Sequence, residues 1–125
     1  EGASQYYESF DASYPDDMLA ARAVEIIQEQ NLKTHQGLHL TTSALFQQTM
    51  PTITAWNKAE FLSVDMETSA VFSAARYFNM QAVSLLFVWD ELLNGRTWLD
   101  CFSPEETEKH KAANRVIFET ALTLS

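Results

Sequence analysis

Apolar positions along the chain change period several times, and each change marks an element. Pro15-Asp16-Asp17 opens a helix, with proline in the first turn and carboxylates at the positive end of the dipole. Leu19, Ala23, Ile26 and Ile27 then recur at helical spacing to about Asn31. Residues 34–43 alternate, with Leu38 and Leu40 on one face, and predict a short strand. Residues 44–60 hold Pro51 and no sustained period, which predicts a loop with one or two helical turns. Phe61 to Met66 is a short strand candidate. Glu67 to Phe78 is predicted helical, with Ala70, Val71, Ala74, Ala75 and Phe78 on one stripe. "MQAVSLLFVWD", residues 80–90, is a continuous apolar run and predicts a strand buried on both faces. Asn94-Gly95-Arg96 marks a turn. Ser103-Pro104-Glu105-Glu106 is a capping box that starts a last helix reaching about Thr123. Residues 1–14, with Tyr6, Tyr7, Phe10 and Tyr14, suggest a loop or a short strand end. The order is helix, strand, strand, helix, buried strand, helix, an α/β layout in a single domain over 1–125.

Charge and cysteine usage narrow the partners. The net charge of −9 argues against a nucleic-acid backbone or an anionic membrane surface. No run of 18 apolar residues occurs, so no membrane span is expected, and no signal peptide is seen. Cys101 is the one cysteine, so neither a disulfide framework nor a thiolate zinc site can be built within one chain. A free thiol fits a cytoplasmic location. The chain begins at Glu1 rather than methionine, which fits a piece of something longer.

Two carboxylates stand out by position. Glu67 falls at a predicted helix start, where the dipole alone would favour it. Asp90 ends the most apolar segment, and ligands of open α/β sheets gather beyond the carboxyl ends of strands. A right-handed strand–helix–strand unit would bring both to one crevice. His35 and His39 share a strand face without further ligands, so no metal is expected. No Ser-His-Asp motif is apparent, and the acidic stretch 104–108 suits a solvated helix start.

"VDMETSAVFSAARYFNMQAVSLLFVWDEL" resembles the C-terminal signature of the nucleoside phosphorylase and methylthioadenosine nucleosidase family. Val64-Asp65-Met66-Glu67 conservatively replaces the family's Val-Glu-Met-Glu run, and Trp89-Asp90 replaces its Ser-Asp pair. "LFQQ" around Phe46 is similar to the family's Phe-Tyr pair, and "EGAS" before Tyr6 and Tyr7 to an "EGTS" segment. The resemblance implies half of a three-layer α/β/α sandwich with a central mixed or parallel sheet. It also implies cleavage of the N-glycosidic bond of a ribonucleoside. Glu67 would hold the ribose hydroxyls and favour the cationic transition state, with Met66 packed under the sugar. Asp90 would be the catalytic residue that protonates or hydrogen-bonds the leaving purine, and Phe46 would stack on the base. Inorganic phosphate would be the co-substrate of a phosphorylase, with no other cofactor.

Three departures accompany the match. Trp89 stands where the family has a serine. An arginine beyond the aspartate has no clean counterpart; the region offers Arg96, Lys109, His110 and Lys111. The family's glycine-rich phosphate loop belongs to an N-terminal half that this chain, with three glycines, does not show. Exposed strand edges are then expected to pack against that half or against copies of the chain. Asp90 favours a purine, since Gln47 and Gln48 have no arginine nearby to read a pyrimidine. The alternative is a non-catalytic relative or an interaction subunit that keeps only the fold.

Overall fold

The computed structural model describes residues 2–8, 11–30, 32–97 and 99–125. Phe10, Glu1 of the "EGAS" match and Asn31 as a helix end lie outside the described residues. The chain divides into two compact units, one of residues 1–19 and 36–84 and one of residues 20–35 and 85–125. The α/β class expected from the pattern holds, with a parallel strand pair among helices.

In the first unit β1 (Leu38–Thr41) and β2 (Phe61–Asp65) pair in parallel. The register sets His39 beside Ser63 and Thr41 beside Asp65, with an irregularity between Leu38 and His39. Parallel neighbours need a crossover connection. It is supplied by residues 44–60, where the helical turns expected within the loop are present and extend further than one or two turns. Leu45–Gln47 forms a 3-10 turn and α2 spans Met50–Lys58. Pro51 lies in the first turn of α2, where a missing N–H costs nothing, so it starts the helix rather than breaking it. Ile53 is buried, and Trp56, one turn on, is half-buried. Nine residues give too short a stripe for the period to be visible.

The next helix, α3 (Thr68–Tyr77), follows β2 after two residues. Asn79, at φ 53°, ends it in the left-handed conformation, and the Met80 N–H bonds the Ala75 carbonyl at 2.8 Å. That is the pattern of a helix closed by an asparagine. Gly2–Tyr7 is a 3-10 helix rather than a loop or strand end. Its Tyr7 ring packs edge-on to Tyr77 at 5.7 Å and to Phe78 at 6.1 Å, which fixes it on the end of α3.

The first helix, α1, spans Asp17–Glu29. Asp16 caps it by accepting the Leu19 N–H at 2.9 Å, and this bond holds its carboxyl below the usual range. The Gln81 amide donates to the same carboxylate at 3.1 Å, and the Asp16 N–H bonds the Ala82 carbonyl.

The apolar run 80–90 is not the doubly buried strand expected from its composition. It has no regular secondary structure, and Met80, Leu86, Val88 and Trp89 are exposed. Apolar content suits such a segment to a sheet, but a strand exists only where a ladder partner lies beside it. Among the described residues the sheet has two strands, and Leu38 and Leu62 on it are more than half exposed, at 57% and 58%.

In the second unit Glu91 and Arg96 pair through both backbone bonds around a 3-10 turn, Leu92–Asn94. Gly95 there has φ 69°, a conformation that suits a residue without a Cβ. The long helix α4 spans Pro104–Leu124. Its capping box is the one expected. The Glu106 N–H reaches Ser103 Oγ at 3.2 Å, and the Ser103 N–H reaches Glu106 Oε2 at 2.8 Å. Replacing Ser103 by alanine is expected to cost about 1 kcal/mol, read as a lower urea midpoint with an unchanged slope. Among the described residues no helix is long and apolar enough to cross a membrane.

Candidate functional site

The carboxyl ends of β1 and β2 carry the first cluster. Because the two strands run in parallel, the segments that leave them start from the same end of the sheet. Phe46 lies in the turn after β1, and Met66-Glu67 follow β2 directly. Phe46 is 95% exposed and Met66 46% exposed, so both present apolar surface outward.

Asp65 is the anchor of this end. Its Oδ1 accepts the Thr41 hydroxyl at 2.9 Å and the Glu67 N–H at 3.2 Å. Its Oδ2 accepts the Thr68 N–H at 3.0 Å and also the Thr68 hydroxyl. His39 Nε2 lies 2.9 Å from Oδ1, with the ring turned so that this is a close contact rather than a straight hydrogen bond. Partial burial pushes the carboxyl up. The Thr68 donors, the close His39 ring and the Thr41 hydroxyl outweigh it and hold the group at about 2. Asp65 is therefore ionised at neutral pH and serves as the side-chain cap of α3.

The neighbouring donors are also used. The Ser69 N–H bonds Thr41 Oγ1 at 3.0 Å, and the Ala70 N–H bonds the Glu67 carbonyl at 3.0 Å. The first turn of α3 thus spends its N–H groups on the protein's own oxygens. Glu67 itself is exposed, and its carboxylate accepts the Met66 N–H at 3.1 Å. It sits just before α3, at the cap position, with its carboxylate turned back on Met66.

His39 departs from the sequence expectation. Its Nδ1 and Ser63 Oγ lie 2.7 Å apart, so the fold lines up Ser63, His39 and Asp65 although the sequence shows no such motif. The three come from adjacent strands in register, which is information the sequence carries only through pairing. Asp65 lies two residues ahead of the cap position of α3, outside the usual cap spacing, so the local sequence carried no cap signal for it.

Asp90 belongs to the second unit and is half-buried. The residues around it in sequence line a cavity of about 250 Å³. Val88, Trp89 and Glu91 contribute one side, Arg96, Thr97 and Phe102 the next, and Glu106, Lys109 and His110 the face of α4. Its rings are packed together: Trp89 lies 5.6 Å from Phe102 and 5.5 Å from His110, and Phe102 lies 4.4 Å from His110. Arg96 is ion-paired with Glu106 and lies over the Phe102 ring at 5.8 Å. The Glu106 carboxyl is held at about 2, first by its bond from Arg96 and then by the Ser103 cap. Of the four basic candidates after Asp90, three line this cavity: Arg96, Lys109 and His110. Lys111 instead pairs with Glu108 at 2.8 Å.

The model of the phosphorylase superfamily matches residues 1–121, and the chain belongs to that superfamily. A purine nucleoside phosphorylase of the DeoD type from Alkaliphilus metalliredigens is 31% identical over 77 residues, 62% of this chain and 33% of the relative. One from a Geobacillus species is 34% identical over 77 residues, 62% of this chain and 32% of the relative. A guanosine phosphorylase from Halorubrum lacusprofundi is 27% identical over 96 residues, 76% of this chain and 40% of the relative. The matched stretch spans about a third of the length of the first two relatives. No solved structure matches the chain.

Proposed function

We propose, from membership of the phosphorylase superfamily, that the protein takes part in cleaving the N-glycosidic bond of a purine ribonucleoside. Glu67 holds the ribose hydroxyls, Met66 packs on the sugar, Phe46 stacks on the base, and Asp90 serves the leaving base. The observation that carries this reading is the construction of the Met66-Glu67 corner. Asp65 accepts the Glu67 and Thr68 N–H groups, so the backbone there is fixed, while the Glu67 carboxylate remains outside.

That division of labour suits the chemistry. Bond cleavage builds positive charge on the ribose, and a fixed carboxylate at the sugar hydroxyls stabilises it more than it stabilises the ground state. The names of the three relatives support a purine over a pyrimidine. Inorganic phosphate is the proposed co-substrate. The first turn of α3 has no N–H to spare for it, so its binding groups are proposed to lie elsewhere than that turn.

Replacing Glu67 by glutamine tests the proposal. Base release from inosine, guanosine and adenosine is expected to fall at least about tenfold, with native mass and unfolding midpoint unchanged. Unaltered base release in that variant would sink the assignment of Glu67. Release that requires added phosphate marks phosphorolysis, and release without it marks hydrolysis. The native mass of the natural protein, measured alongside, identifies the partner: a longer or second polypeptide, or copies of this chain.

A further inference from the structure

The cavity beside Asp90 is walled by residues that the superfamily signature does not supply. Trp89 stands at the position of a small serine, and its indole is half exposed, so one side of it is open to a ligand. Its other contacts are aromatic: Phe87 at 5.7 Å, Phe102 at 5.6 Å and His110 at 5.5 Å. The Trp89 and His110 planes are tilted by 36°, the smallest angle in the cluster. His110 is half-buried, close against Phe102 at 4.4 Å, and is carried by α4, whose first turns are fixed by the capping box.

The rim is charged with both signs. Glu91 and Glu106 can accept hydrogen bonds, and Arg96 and Lys109 can donate them. Arg96 keeps unused N–H groups after pairing with Glu106, because a guanidinium has five. A cavity of about 250 Å³ lies just under the usual range for small-molecule sites, roughly 300–1,000 Å³. It suits one planar ring system with donors and acceptors on its edge.

We propose that Trp89 and His110 form the wall on which the base of the nucleoside stacks, making them specificity-determining residues of the site. This rests on the reading given under Proposed function and adds two residues to it. The indole supplies a π-face that any base can use, so it contributes affinity. The imidazole supplies a donor and an acceptor at the ring edge, so it contributes selection among bases. A bicyclic purine offers more stacking area than a pyrimidine. The wall therefore favours purines.

The test uses the whole protein and free bases, so it does not depend on turnover. Binding of guanine, hypoxanthine, adenine and uracil is followed by equilibrium dialysis and by quenching of tryptophan fluorescence. The expected result is purine binding stronger than uracil binding. Trp89→Ala weakens it at least about fivefold, in line with the loss of one base–aromatic stack. Trp89→Phe retains most of the affinity but loses the quenching, which a merely structural tryptophan would not do. His110→Ala narrows the differences among the bases. Circular dichroism accompanies each variant, and Trp89→Phe decides the matter if Trp89→Ala does not fold.

Bases that bind equally well to all these variants, or do not bind the unsubstituted protein, overturn the proposal. The two ideas fail separately. Base release with Trp89 and His110 variants indistinguishable from the parent removes the wall and keeps the N-glycosidic reading. Base binding at the wall without release from any nucleoside keeps the wall and removes that reading.

Discussion

Replacing Asp90 by asparagine is expected to lower base release from purine nucleosides by about 10²- to 10⁴-fold, the span usual for losing a positioned general acid. A purine leaves badly as an anion, so a proton or a strong hydrogen bond at its imidazole nitrogen lowers the barrier. Asparagine has nearly the same shape and can still donate a hydrogen bond, but it cannot transfer a proton. The comparison therefore separates the two roles. A drop near the lower end, with affinity for the free base kept, means that Asp90 acts chiefly by hydrogen bonding. A drop near the upper end means proton transfer. Release at the parental rate removes Asp90 from the mechanism. The substituted carboxyl is half-buried, so the unfolding midpoint is measured with the rate. Nucleosides whose base departs easily without protonation offer the sharpest control: their cleavage is expected to be nearly insensitive to the change.

The sequence made some of this architecture legible and hid the rest for physical reasons. Helix starts were readable because capping is local: Asp16 and Ser103 each bond an N–H three residues on. Strand β1 was readable from alternation, and β2 as a short candidate ahead of a helical pattern. Residues 80–90 misled because apolar content records burial preference, while strand formation needs a ladder neighbour that no local window contains. Helix α2 was legible only as one or two turns, because nine residues with Pro51 in the first turn show no sustained period. At the site, Glu67 and Asp90 stood out by their places at a helix start and at the end of an apolar run, while their roles, and Met66 and Phe46, came from resemblance to a family motif. The Trp89–Phe102–His110 cluster was out of reach because its members are separated by 13 and 8 residues and meet only when α4 is in place.

The second large effect expected is on stability, at Asp65. Its carboxylate receives the Thr41 hydroxyl, both Thr68 donors and the Glu67 N–H, and it faces His39 at 2.9 Å. Replacing it by alanine leaves these donors without their shared acceptor in a partly buried place. The expected cost is about 3 kcal/mol, since bonds to a charged acceptor are worth more than neutral ones and a lost cap adds to them. Linkage gives the pH dependence. The carboxyl is held at about 2 in the folded protein against 3.8 for the ordinary group, so the folded pKa is depressed. Its ionised form then stabilises the fold above about pH 4, and that contribution is lost as pH falls toward 2. A depression of this size corresponds to about 2 kcal/mol. Urea midpoints of the parent and Asp65→Ala should therefore differ widely at pH 7 and converge as pH falls through 4 toward 2. A gap that stays constant over this range would show that Asp65 contributes through packing instead of charge. Glu67 gives a second readout, because its backbone N–H is held by Asp65. Base release in Asp65→Ala should fall even at pH 7 and low temperature, where the fold survives. Asp65→Asn, which retains one acceptor oxygen, should recover part of both losses.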